Sequence, residues 1–159
     1  MNWDAIGAVG EILGAAAVFL SLVYLAIQIR EQNRESRALA IHEISEAFRN
    51  SVTPFTETDI AVAFAKLESG EEISDAQRVQ LNGAAQKLLR VWEEAFHQRN
   101  SGRLDVAVWN VIELQFQHFL GAKALNQAWA MRKQYYDPEF RDYVDALDTI
   151  DYVYRPESL

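Results

Sequence analysis

From Ile12 to Ile27 the chain reads ILGAAAVFLSLVYLAI, without one charged position. Extended outward from Ala5 to Ile29, the helix-compatible run is interrupted only by Glu11 and Gln28. At ~1.5 Å per residue, a helix of about 25 residues spans the roughly 30 Å hydrocarbon core of a bilayer. The pattern predicts a transmembrane helix over residues 1–30. Two other readings compete, a signal peptide and the buried helix of a soluble protein. The signal peptide fits less well, because MNWDAIG has no Lys or Arg and no small-residue cleavage site follows the apolar run.

The helical pattern continues past Arg30. IREQNRESRALAIHEISEAFRN has neither Gly nor Pro, and Leu39, Ile41, Ile44 and Phe48 fall on or near one side. A juxtamembrane helix over 31–52, continuous with the span and closed by Pro54, is therefore predicted. The stretch lacks the Gly/Ser content of a flexible tether, so the joint is expected to transmit position and tilt.

Residues 53–154 read as a helical domain and 155–159 as a frayed tail. A short helix runs from about Glu57 to Glu68 and closes at Gly70. Ser74-Asp-Ala-Gln77 has the form of a capping box and opens a helix of about 26 residues, with Leu81, Ala84, Ala85, Leu88, Trp92, Ala95 and Phe96 inward. Asp105 is placed to cap a helix that carries Trp109, Ile112, Phe116, Phe119 and Leu120 and ends at Gly121. A shorter helix follows from about Ala124 to Tyr135, with Leu125, Trp129 and Met131 inward. Asp137-Pro138-Glu139 opens the last one, with Phe140, Tyr143, Val144, Leu147 and Ile150 at 3–4 spacing. No alternating strand pattern competes. The expected fold class is all-α: a single N-terminal transmembrane helix continuing into a cytoplasmic helical bundle of about five helices.

Charge sets the expected orientation. No Lys or Arg precedes the apolar run, and Arg30, Arg34 and Arg37 follow it at once. The positive-inside rule then places the N-terminus outside and the following domain in the cytoplasm. Across all 159 residues the formal net charge is -8, which argues against nucleic acid as a partner. The absence of cysteine removes disulfides, thiolate metal sites and cysteine nucleophiles. Asp137 to Leu159 holds seven acids, so this end is expected to point away from an anionic leaflet.

The candidate functional residues lie in the apolar run itself. Gly7, Gly10, Gly14, Ala17 and Ser21 recur at spacings of 3, 4, 3 and 4, a stripe of small residues on one helix face. Gly10 and Gly14 supply the GxxxG spacing that lets helix backbones approach closely. Glu11 lies beside the stripe, and ionisable groups in a span usually face a neighbouring helix or a wet cavity. The spacing predicts an oligomer interface of Gly7, Gly10, Glu11, Gly14, Ala17 and Ser21. An alternative is a homo-oligomeric pore with Glu11 near its outer mouth and Ser21 and Gln28 along the path.

Enzymatic signatures are sparse. No nucleophile elbow, phosphate loop or dinucleotide fingerprint occurs. Glu94 and His97 form one ExxH, and di-iron bundles use two of these with further glutamates. Glu43, Glu46 and Glu113 would have to complete a metal site, while His118 stands five positions from Glu113 and does not share its face. No cofactor is expected. The expected partners are membrane lipid, further copies of the chain and an unidentified protein. The aromatic set from Trp92 to Phe140 is read as core packing, with a groove for a lipid tail or partner helix as the alternative.

The opening MNWDAIGAVGEILGAAAVFLSLVYLAIQIR resembles that of an uncharacterised family of small bacterial membrane proteins. So do LLRVWEEAF, the Gly-Arg-Leu turn, the later Val-Trp and Trp129, and DPEFRDYVDAL. The resemblance implies one N-terminal span plus a helical cytoplasmic domain at the bacterial inner membrane, and it carries over no site residues.

Overall fold

The computed structural model describes residues 3–152. They are all-α: six α-helices, two short 3-10 turns and no strand. Helix α1 runs Trp3–Val52 without interruption, and the turn Thr53–Thr56 follows it with Pro54 at its start. The other helices are α2 (Thr58–Ser69), α3 (Asp75–Asn100), α4 (Val106–Gly121), α5 (Lys123–Arg132) and α6 (Pro138–Asp145). The tail read at 155–159 lies outside the described residues.

The contacts divide the chain into two units, Met1–Leu39 and Ala40–Leu159. In the first, every residue from Gly7 to Glu35 is exposed. The second has a core of its own, and α1 enters it through Ala40 and Ile44. The stretch 31–52 is therefore shared between the two units, and its last turns are part of the bundle.

Within the second unit α3 packs against α2, α4 and α5. Its start is the capping box read from the sequence. Ser74 Oγ accepts from the Gln77 N–H at 3.3 Å, and Gln77 Oε1 accepts from the Ser74 N–H at 3.0 Å. Asp137 caps α6 in the same way, accepting from the N–H groups of Glu139 and Phe140. Asp105 occupies the N-cap position of α4 but forms no side-chain bond to that helix end. A second cluster of Ile60, Ala63, Ile73, Leu81 and Ala84 seals α2 onto the first turns of α3.

Non-local polar bonds fix the connections. Glu68 of α2 accepts from the Ala124 N–H at 3.1 Å and so caps α5 from another helix. Lys123 donates to the Glu68 carbonyl at 2.7 Å. On α3, Glu93 accepts from the Asp137 N–H at 2.8 Å, while Arg90 donates to Glu93 and to the Tyr135 carbonyl and lies over the Tyr136 ring. Asp145 stands at the C-terminal end of α6, where the helix dipole disfavours an acid. Trp129 Nε1 and Lys133 Nζ donate to its two oxygens and offset that cost.

The last helix is shorter than its 3–4 spacing predicted. It stops at Asp145, and Ile150 lies outside it. The chain turns back instead, and the Ile150 N–H donates to the Gln117 carbonyl at 3.3 Å. Tyr152 then meets Phe64 edge-on at 5.6 Å. The turn-back requires Gly121: a Cβ built there lies 1.9 Å from the Ile150 oxygen. Gly121→Ala is expected to push this segment off α4 and cost about 1–3 kcal/mol, the usual range for overpacking. Thermal unfolding checks it, and a transition unchanged from wild type would show that the segment does not press on Gly121.

Candidate functional site

The first unit presents its candidate residues on one helix. Large apolar side chains stand exposed along it, among them Ile12, Leu13, Phe19, Leu20 and Leu22. Among the described residues this is the one helix long and apolar enough to cross a membrane, and none of its apolar window is buried within the chain.

Gly7, Gly10, Glu11, Gly14, Ala17 and Ser21 are all exposed. A Cβ placed on Gly7, Gly10 or Gly14 meets nothing within 4 Å. These glycines therefore answer no need of the chain's own packing. Ser21 Oγ donates to the Ala17 carbonyl at 2.8 Å, so its hydroxyl is satisfied within the helix. Glu11 finds no hydrogen-bond or ion-pair partner among the described residues.

The same 3–4 spacing carries the stripe two steps further, to Tyr24 and Gln28. Gln28 Nε2 donates to the Tyr24 hydroxyl at 2.9 Å. The position of Tyr24 three residues after Ser21 signals this continuation in the sequence.

The metal reading draws no support from the geometry. Glu94 and His97 are both exposed, and Glu94 accepts from Gln98 Nε2 at 2.8 Å. Glu43 pairs with Arg103 at 3.5 Å, and Glu113 accepts from the Tyr143 hydroxyl. Among the described residues no three His, Asp or Glu side chains come together as a ligand set.

The aromatic set sorts into core and surface. Trp92, Phe96, Trp109, Phe116, Trp129, Tyr136 and Phe140 are buried, Phe119 is half-buried and Tyr135 is exposed. Burial, and then the hydrogen bond to Glu113, push the Tyr143 hydroxyl above the usual tyrosine range. Burial likewise raises Tyr136, against the opposing charge of Arg90. A folded-state value raised above the unfolded ~10 gives stability that is complete below pH ~10 and lost as pH rises through the folded value. Phenolate absorbance in an alkaline titration is expected to show both tyrosines protonated past the ordinary range. They should then ionise together with unfolding. Six tyrosines titrating as one ordinary class would refute this.

No family model, curated protein or solved structure matches the chain.

Proposed function

We propose that this chain is a single-pass membrane protein whose α1 anchors it and joins it to further copies. The Ala40–Leu159 bundle then serves as a cytoplasmic scaffold or binding module, with no catalytic role. One observation carries the reading: the apolar stretch of α1 is wholly exposed while bearing glycines that the chain's own packing does not use. Lipid satisfies the bulky faces, and close helix–helix approach uses the small one. Glu11 sits beside that contact, where neighbouring helices and water share its cost. Arg30, Arg34 and Arg37 hold the bundle on the cytoplasmic side of a bacterial inner membrane.

Native mass spectrometry of the full-length protein released from detergent tests the proposal. A discrete oligomer is expected, and a monomer would remove the self-association. Single cysteines are clean reporters of topology in a chain with none of its own. A cysteine placed at Asn2 should react with an impermeant thiol reagent from outside intact cells, and one at Ser101 should not.

A further inference from the structure

We propose that the groove between the last turns of α1 and helix α4 binds a long-chain fatty-acid anion, with Arg49 holding its carboxylate. The groove has a volume of about 600 Å³. That lies within the ~300–1,000 Å³ of small-molecule sites. Its walls are hydrocarbon, chiefly Ile41, Ile44, Phe48, Val108, Val111 and Ile112. Arg49 is the one charged residue lining it, with Ser45 and Gln115 as the polar neighbours.

The place of Arg49 on the groove sets the chemistry of the occupant. Arg90, Arg103 and Arg141 each lie against a carboxylate. The Arg49 guanidinium is exposed and, like those of Arg30, Arg34, Arg78 and Arg132, meets no carboxylate among the described residues, and of these it alone lines the groove. A lone cation on an apolar groove complements a ligand with one anionic end and a hydrocarbon body. Size then limits that body to one chain. A water takes ~30 Å³, and a methylene is of similar size, so the groove has room for roughly 20 such groups. One fatty-acid chain fits within that, whereas the two chains of a phospholipid exceed it.

The site does not depend on self-association through the α1 stripe. Its test is carbon NMR of carboxyl-labelled palmitate added to the full-length protein in nanodiscs. Wild type is expected to give a second carboxyl resonance, one per chain, titrating below the resonance of palmitate in the bilayer because a cation sits beside it. Arg49→Gln should weaken this binding about tenfold. Ala107→Trp, which fills the groove from an exposed lining position, should abolish it. Circular dichroism should match wild type for both variants. A bilayer resonance alone in wild type overturns the proposal, as does a bound resonance that survives either substitution unchanged. Disulfide cross-linking of two Val111→Cys chains without bound palmitate also overturns it, and assigns the groove to a second copy.

Discussion

Trp92→Ala is expected to cost the bundle about 3–5 kcal/mol, the range for truncating a large buried aromatic. The indole is fully buried and stacks on Phe116, with ring centroids 4.6 Å apart and planes within 2°. Phe140 meets it edge-on at 5.5 Å and Tyr143 at 6.0 Å. Three helices thus converge on one side chain: α3 supplies it, and α4 and α6 supply its neighbours. The indole N–H has no partner among the described residues, so the loss is one of packing and leaves no stranded acceptor. A domain of this size is usually stable by only about 5–15 kcal/mol. The variant should therefore lose its near-ultraviolet dichroism and unfold at much lower denaturant. Tyr135→Ala is the contrast: at 62% exposure it should change stability by less than ~0.5 kcal/mol. Equal effects from the two substitutions would contradict the placement of the core.

What separates these two aromatics also shows how far the sequence could be read. Helix starts were legible because their chemistry is local: Ser74 with Gln77, and Asp137 with Glu139 and Phe140, lie within one turn. The inward faces of α3 and α4 followed from 3–4 spacing, whereas Met131, read as inward on α5, is exposed, and Tyr135 of the aromatic set is exposed in a 3-10 turn. The unread features are those in which distant segments meet. Glu68 caps α5 from 56 positions away, and no local motif announces it. Ile150 fits the α6 period, yet its backbone is claimed by Gln117 and by the gap at Gly121. The ExxH of Glu94 and His97 was visible as a motif, but whether other ligands join it is a tertiary matter, and Glu43 and Glu113 are engaged elsewhere. The α1 stripe is the converse case. Its spacing was fully legible, and the chain's own packing leaves it unused.

If the proposed self-association holds, replacing Gly10 and Gly14 together with Leu is expected to convert the oligomer to monomer. Both glycines are exposed with open space at the Cβ position, so the bundle and α1 itself should tolerate the change. Leucine also has a better helix propensity than glycine, so the helix is not weakened. In the oligomer the same side chains would stand between two backbones that the GxxxG spacing brings together, and the helices would have to separate. An affinity loss of at least tenfold, about 1.4 kcal/mol, is the expected scale. Ala16→Leu makes a comparable enlargement off the stripe and should leave the assembly intact. Glu11→Gln removes charge without bulk and should change affinity far less than the double leucine variant. Sedimentation in density-matched detergent reads all three on one scale. Dissociation by Ala16→Leu as well would mean the helix associates through no particular face. An unchanged mass for the double variant would move self-association away from the stripe. The glycines would then serve only lipid contact, and a bilayer asks for no such spacing.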